Sequence, residues 1–493
     1  INLLKDDDSS FFVIGKYAAY NMYEEYGGAA SAGCVAGLAY VEKKLVMIIA
    51  NDATVKAGAF FPMTAKKVIR AQHIAMDLEI PTLYLVDSAG VFLPLQDEIF
   101  PDQDDFGRIF RNNAVMSAKG IPQITAIMGS CVAGGAYLPV MTDKILMVDG
   151  AGLYLAGPQL VQSAIGQVVD SEELGGTQVH SEINGTIDFR EKNDEACLIR
   201  LRSLVKKIGL KTDGPFQQRQ EISEPLYSAK ELYSLSAFSP SQQYDVRDII
   251  ARLVDGSEFD EYKAEFGKSI VCGYAAIGGY AVGIVANQKT HQLTKGKPPA
   301  FGGIIYNESA EKAARFIMDC NQSLIPLVFI HDVNGFMVGK DSEHGGIIKA
   351  GAKMVNAVSN SVVPKLVIIT GGSFGAGHYA MCGKAYDPSF IVAWPSAKYS
   401  VMSGEAAAKT LVGLEISKLK KQGEQVDDAR TKEIYQEIKN RYESQMDVKY
   451  GAARLWLDAI IDPADSRKAL ITMLEAASHK RHVDEFKVGV FQV

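Results

Sequence analysis

Residues Gly129–Pro139 read GSCVAGGAYLP, and the residues before them, Ile121–Met128, read IPQITAIM. The apolar run reads as a buried strand, and the glycines fall where the chain passes from strand end to helix start. Glycine lets backbone approach a ligand closely, and the first N–H groups of a helix have no intrahelical acceptor. Such a turn suits an anion, or an oxygen that gains negative charge during reaction. The same glycines also serve tight strand–helix packing, and one turn alone does not separate the two uses. The chain, however, makes it twice.

Working outward, IPTLYLVD (Ile80–Asp87) returns as IPLVFIHD (Ile325–Asp332), so that Asp87 and Asp332 stand 245 residues apart. Upstream, MIIAN ending at Asn51 corresponds to GIVAN ending at Asn287, 236 residues apart, and the difference is about the size of HQLTKGKPP (291–299), read as a surface insertion. Downstream, IPQITAIMGSCVAGGAY corresponds to VPKLVIITGGSFGAGHY, with Gly135 and Gly377 242 residues apart. An internal repeat of this length fixes the architecture. Within it, uninterrupted apolar runs such as Leu45–Ala50 and Pro81–Val86 alternate with helical periodicity over Thr64–Leu78. That alternation predicts an α/β fold of βα units with buried, mostly parallel strands. The pattern changes over 205–245, where the polar run GLKTDGPFQQRQEISEPLYSAKELY carries two prolines and reads as a linker, giving an N-terminal domain over 1–225 and a C-terminal domain over 226–493. Residues 414–450 are charged on most faces, as an exposed helical excursion is.

Composition narrows the function. The chain has 493 residues, 47% hydrophobic and 22% charged, with a net charge of −7, which argues against a general nucleic-acid binder. No apolar run approaches the roughly 18 residues of a membrane span. Six scattered cysteines without a CxxC pair fit a reducing compartment, cytoplasmic or, in a eukaryote, the mitochondrial matrix. The chain opens at Ile1 without an initiator Met, so a leading segment and any targeting peptide in it stand outside this reading. Serine-hydrolase, NTPase and zinc-peptidase readings find no support, and no metal site is expected. The run GAGHYA (375–380) matches a permissive dinucleotide fingerprint, but the next apolar run, Phe390–Trp394, ends in PSAK where an acidic residue is needed. Among the eight histidines only His378, beside the second glycine turn, stands out, and a packed, hydrogen-bonded imidazole is its expected role.

Several long stretches carry a resemblance: NDATVKAGAFFPMTAKKVIRAQHIA, YLVDSAGVFLPLQDEIFPDQDDFGRIF, MGSCVAGGAYLPVMTD, SEELGG, NGFMVGKDSEHGGIIKAGAKMV, GGSFGAGHYAMCGKAYDPSF and LWLDAIIDPADSR. Spread over about residues 50–467, they resemble the carboxyltransferase (beta) subunit of biotin-dependent acyl-CoA carboxylases, and are most similar to its 3-methylcrotonoyl-CoA and geranyl-CoA branch. The resemblance implies a tandem duplication of a crotonase-like (ClpP/crotonase) ββα-superhelix domain. It also implies carboxyl transfer from biotin on a separate chain to an acyl-CoA. Charge then develops on a thioester oxygen and on a ureido oxygen, each needing preorganised donors, and losing one such donor costs ~2.7–4 kcal/mol.

The resemblance assigns the first set to Gly134 and Gly135 and the second to Gly375, Ala376 and Gly377. It places Lys66, Lys67 and Arg70 at the CoA phosphates, with Ser88, Ala89, Gly90 and Ala133 around the acyl group. On the biotin side it places Asn334, Gly335, Phe336, Phe374 and His378. A side-chain base is not required, because the biotin nitrogen itself can take the substrate proton. No biotin-attachment sequence is expected: Ala352-Lys353-Met354 lies in a helix-like run. The implied partners are a biotin carboxylase, a biotin carboxyl carrier subunit and further copies of the chain, in a hexamer whose N-half and C-half turns meet across a subunit interface. Relatives commonly carry two glycines after Asp-Ser, Arg before Gln, and Asn after the second Gly-Ala-Gly. Here Ala89-Gly90, Leu95 and His378 stand instead, which leaves the acyl chain open. The alternatives are the alpha subunit of a biotin-dependent decarboxylase sodium pump and a non-catalytic scaffold paralogue.

Overall fold

The computed structural model describes residues 1–209, 214–219, 221–235, 242–292, 299–422 and 426–491. It divides into two compact units. Unit 1 is Ile1–Gly214 with Ala452–Leu455 and His479–Arg481; unit 2 is Pro215–Gly451 with Trp456–Ser478 and His482–Val493. The units part before the 225/226 boundary drawn from composition, because residues 215–219 bond into unit 2. Gln217 Nε2 donates to the Ser478 carbonyl (2.7 Å) and Arg219 N to that of Gly279 (2.9 Å). Most of the insertion read at 291–299, and parts of the linker, lie outside the described residues.

Unit 1 holds strands β1 (Phe12–Ile14), β2 (Cys34–Val41), β3 (Lys44–Asn51), β4 (Thr82–Ser88), β5 (Gln123–Val132), β6 (Lys144–Val148), β7 (Gly152–Tyr154) and β8 (Phe189–Glu191). They form one sheet in the order β1–β2–β3–β4–β5–β6–β8, with β7 beside the end of β5. Strands β1 to β3 are antiparallel neighbours, and pairing is parallel from β3 onward. The β2–β3 hairpin turns on Glu42 and Lys43, both at positive φ, the pairing of dihedrals that matches strand twist in a tight hairpin. Val46 and Ile48 of β3 pack with Leu198, Leu201 and Val205 of the helix Asp194–Lys206. The intervening residues of β3 are buried too, so LVMIIA reads as a continuous apolar run rather than an alternating one.

Unit 2 repeats the plan with β9 (Asp260–Tyr262), β10 (Ile270–Ile277), β11 (Tyr280–Asn287), β12 (Ile304–Ile305), β13 (Leu327–Val333), β14 (Gly335–Phe336), β15 (Lys365–Phe374), β16 (Phe390–Ala393), β17 (Lys398–Ser400) and β18 (Ala459–Ile460). Its main sheet runs β9–β10–β11–β13–β15–β16–β18, with β17 beside the end of β15. The first long helices correspond as well. In Pro62–Leu78, Thr64 Oγ1 accepts from Phe61 N (3.0 Å), and in Asn307–Gln322, Ser309 Oγ accepts from Tyr306 N (2.8 Å), satisfying an N-terminal donor. The charged stretch at 414–450 forms parts of two helices, Gly404–Lys421 and Asp428–Met446, which share a small core of Ala408, Ile434 and Ile438. Among the described residues no helix is long and apolar enough to cross a membrane.

One irregularity positions both glycine turns. Strand β4 pairs with β5 in register up to Val86–Ile127 and resumes at Ser88–Cys131, leaving Met128, Gly129 and Ser130 opposite Asp87. The Asp87 carboxylate fills this bulge, accepting from Ser130 N at 3.0 Å, and a Cβ on Gly129 would overlap it. At the bulge β5 passes from pairing with β6 to pairing with β7. Unit 2 does the same: β13 and β15 shift register between His331 and Val333, Asp332 accepts from Gly372 N at 2.8 Å, and β15 passes from β16 to β17. Both aspartates thus bond the neighbouring strand rather than their own turns.

Asp332 is also paired with Lys289 Nζ (2.7 Å) and accepts from Tyr244 Oη (2.9 Å), all three groups being buried. Asp332→Ala leaves the Lys289 ammonium buried without its counter-charge and is expected to cost about 3–5 kcal/mol. Asp87→Ala removes one charged acceptor from a half-exposed site and should cost roughly 1.5–3 kcal/mol. Urea unfolding of the two full-length variants measures the difference; equal losses would show that the lysine pair adds nothing.

Candidate active site

In unit 1, β5 ends at Val132 and Ala133 takes the left-handed conformation (φ 58°). Ala133–Ala136 then makes a single 3₁₀ turn running into the short helix Tyr137–Val140. The N–H groups of Gly134 and Gly135 therefore stand at a helix start, where intrahelical acceptors are lacking. Gly90 packs beneath them: a Cβ on Gly135 would lie 3.8 Å from its Cα. A row of rings approaches the turn, with Phe60–Phe106, Phe106–Phe110 and Phe110–Tyr137 centroids 4.8, 5.0 and 6.1 Å apart. Phe106 and Phe110 were not singled out from sequence. Their i, i+4 spacing at the start of the helix Phe106–Ala118 was the available signal.

Two residues assigned to acyl-CoA are otherwise engaged. Lys67 has no exposed surface; its Nζ donates to the Ser31 carbonyl (3.0 Å), Ser31 Oγ (2.8 Å) and the Cys34 carbonyl. Burial pushes its pKa down to about 8, and it holds the loop before β2 rather than meeting a phosphate. Ser88 is 1% exposed, donating to the Gly58 carbonyl and accepting from Gly90 N, so it shapes the loop rather than binding substrate. Lys66 is exposed, with its Nζ on the Arg454 carbonyl (2.9 Å), and Arg70 is half-buried; Ala89 is exposed and its N–H is spent on the Ala57 carbonyl (3.0 Å).

In unit 2, β15 ends at Phe374, Gly375 is left-handed (φ 54°), and the helix Gly375–Ala380 follows. Gly375 is half-buried and Ala376 exposed. Gly377 is buried, where a Cβ would come within 2.7 Å of Val333 Cγ2 and 3.1 Å of Gly335 Cα, so this glycine is fixed by close packing. Phe374 and Asn334 line a cavity of about 670 Å³, together with Lys289, Asp332, Ser396 and Lys398. Asp332 belongs to the strand-end run that the sequence placed at the border of this pocket, whereas Lys289, Ser396 and Lys398 carry no motif and were missed. Phe336, expected in the biotin slot, packs instead on the helix Ile347–Ser359, where a Cβ on Gly351 would meet its ring at 3.0 Å.

His378, also expected to meet biotin, turns back into the fold. Its Nδ1 lies 2.8 Å from Ser373 Oγ, which lies 2.9 Å from His331 Nδ1, and His331 Nε2 reaches the Met381 carbonyl. Burial pushes the pKa of His331 down to about 3, with the neighbouring His378 adding to the effect, and burial pushes His378 down to about 4. The run GGSFG (371–375) has the spacing of a serine nucleophile elbow, which the sequence reading passed over. Ser373 has no exposed surface, which rules it out as an accessible nucleophile.

A family profile described as the carboxyl transferase domain matches residues 1–488. The mitochondrial methylcrotonoyl-CoA carboxylase beta chain of Arabidopsis thaliana is 44% identical over all of this chain and 82% of its own length. The biotin-dependent 3-methylcrotonyl-coenzyme A carboxylase beta1 subunit of Mycobacterium tuberculosis is 43% identical over all of this chain and 90% of its own. The solved beta subunit of Pseudomonas aeruginosa geranyl-CoA carboxylase superposes with a TM-score of 0.85 at 37% identity, over all of this chain and 88% of that one.

The two depressed histidines set a stability window. Both are neutral when folded, with pKa values of about 3 and about 4 against an ordinary 6.5. Their contribution is complete above pH 6.5. As pH falls below it, the unfolded chain binds protons that the folded chain refuses, and stability drops by up to ~1.4 kcal/mol per pH unit for each group. Urea midpoints between pH 7 and 5 should fall less steeply in His378→Gln than in the parent chain; parallel slopes would contradict the assignment.

Proposed function

The chain belongs to the carboxyl transferase family, and from this premise we propose that it is the carboxyltransferase (beta) subunit of a biotin-dependent acyl-CoA carboxylase. Its substrate is 3-methylcrotonoyl-CoA or a closely related acyl-CoA. The observation that carries the reading is the twofold occurrence of one device: a left-handed residue at a strand end, followed by helix-start N–H groups, at equivalent places in the two units. Two oxygens gain charge in carboxyl transfer, and two preorganised donor sets answer them.

In the first unit, Gly134 and Gly135 N–H groups receive the thioester oxygen as the acyl carbon loses its proton. The rings of Phe106 and Phe110 keep water from the chain being carboxylated. Of the basic residues on the helix Pro62–Leu78, Lys66 and Arg70 are left for the CoA phosphates once Lys67 is set aside. In the second unit, Gly375, Ala376 and Gly377 N–H groups address the ureido oxygen. Biotin, delivered on a partner chain, supplies the activated carboxyl group. The cavity beside Phe374 fits it: Asn334 offers both a donor and an acceptor, as a ureido group requires, and Phe374 offers a ring face. This chain carries no attachment lysine at 352–354, since Lys353 lies within a helix and pairs with Glu311 at 2.8 Å. A biotin carboxylase and a biotin carboxyl carrier complete the enzyme, in the cytoplasm or, in a eukaryote, the mitochondrial matrix.

We also propose that copies assemble, as a hexamer, so that the first turn of one faces the second turn of another. Supporting this, apolar side chains stand exposed beside each turn: Tyr137 (49%) with Val140 and Met141, and Tyr379 (48%) with Val401. Carboxyl transfer should therefore fall with oligomer dissociation on dilution, and full activity in a verified monomer would overturn the arrangement. The oxyanion assignment is tested separately. Gly134→Val fills the space between the turn and Phe106 and should lower kcat by roughly 10²–10³-fold in an oligomer that still assembles. Retained activity in that variant would defeat the assignment.

A further inference from the structure

The chain of contacts through His331, Ser373 and His378 has a direction. The Met381 carbonyl only accepts, so His331 Nε2 carries the proton and donates to it. His331 Nδ1 is then a lone pair, and Ser373 O–H donates to it across 2.9 Å. The Ser373 oxygen in turn accepts the Nδ1–H of His378 across 2.8 Å. With both imidazoles neutral, each link can point only one way.

The relay brackets the second glycine turn. Ser373 sits just before Gly375–Gly377 and His378 just after it, while His331 anchors both to β13, whose carbonyl at His331 is itself held by Thr370 Oγ1 (2.9 Å). Unit 1 lacks the relay: Val86, Cys131 and Ala136 stand where His331, Ser373 and His378 do, and Cys131 makes only a 3.3 Å thiol contact with the Gly135 carbonyl. All three positions differ together, so the device is a property of the second turn and not of the duplicated fold.

We propose that His331, Ser373 and His378 are positioning residues that hold the N–H groups of Gly375, Ala376 and Gly377 in the geometry needed for carboxyl transfer. The proposal rests on the reading of the second turn as the biotin-side oxyanion site. The relay touches neither substrate nor cofactor. It braces this turn by directed hydrogen bonds, beside the Tyr379 and Tyr399 rings that His378 meets, whereas the first turn has rings alone.

Ser373→Cys installs the residue of the first repeat with little change of volume, and His378→Ala, at a half-buried position, is the second variant. In the assembled holoenzyme each should lower kcat about 10–100-fold while the KM for acyl-CoA, bound at the other turn, stays within twofold. In the isolated chain, without biotin, amide exchange over 372–381 should rise at least tenfold while that over 129–140 is unchanged. The double variant should be no worse than the worse single one, because the three residues act as a unit. A kcat within twofold of the parent, or unchanged exchange over 372–381, or exchange rising equally at both turns, would overturn the proposal. Ala376→Pro removes one N–H at a helix start that tolerates proline and tests the underlying reading. If Ala376→Pro is inactive and Ser373→Cys active, the relay proposal alone fails; if Ala376→Pro is fully active, the reading of the turn fails.

Discussion

In each half of the chain a strand-end carboxylate accepts the N–H of the residue just past a glycine on the neighbouring strand: Asp87 from Ser130, and Asp332 from Gly372. A bulge leaves a ladder donor without its strand partner, at a cost that reaches about 1–3 kcal/mol when the N–H is buried and is smaller here, Gly372 being half-buried and Ser130 exposed. The carboxylate removes that penalty and lets the strand change neighbours, from β6 to β7 and from β16 to β17. Only after this change does the strand end where its glycine turn faces outward. The glycines at 129 and 371 follow from the same contact, since a Cβ at 371 would lie 2.6 Å from the Asp332 carboxylate. The glycine turns thus depend on a hydrogen bond that lies outside them.

Around this shared constraint the two halves are braced by different means. The first turn rests on rings, Phe60, Phe106 and Phe110. The second rests on polar groups: Lys289 and Tyr244 on Asp332, and the histidine relay on Ser373. Each long helix in the corresponding place also carries one buried lysine, Lys67 and Lys312, whose ammonium donates to carbonyls of nearby loop residues. These lysines are structural in both copies, which explains why a cation at this helix position is retained without a ligand.

The strand runs IPTLYLVD and IPLVFIHD, their offset, and the two glycine turns were legible because buried parallel strands are written as continuous apolar stretches and duplication preserves their spacing. The tandem crotonase-like fold follows from them together with the long family stretches. Side-chain roles were less legible. Lys67 falls at i−4 from Ala71 and i−7 from Ile74, on the apolar face, so periodicity did carry the sign of its burial; its charge outweighed that sign in the reading. The engagement of Ser88, Ser373 and His378 with backbone and with one another depends on neighbours up to 50 residues away, as for His331 and the Met381 carbonyl. No local pattern encodes such a contact. Lys289 is harder still, since a lone lysine after a strand gives no sign that an aspartate in the next strand awaits it.

The turns also differ at their first residue, alanine at 133 and glycine at 375, although the backbone there is nearly the same, φ 58° and 54°. An L-residue in the left-handed region costs roughly 1–2 kcal/mol, so φ alone favours glycine at both. The distinction comes from the surroundings. At 375 a Cβ would stand 3.2 Å from the Val401 carbonyl, on the loop that follows β17, whereas the Ala133 methyl is 3.6 Å from where a side chain on Gly90 would begin. A methyl group at 375 would press on a carbonyl that must then give by a few tenths of an ångström, whereas the Ala133 methyl leaves ordinary van der Waals room even for a side chain at Gly90. The strain kept at Ala133 places a methyl group at the start of the first turn, where the second turn has none.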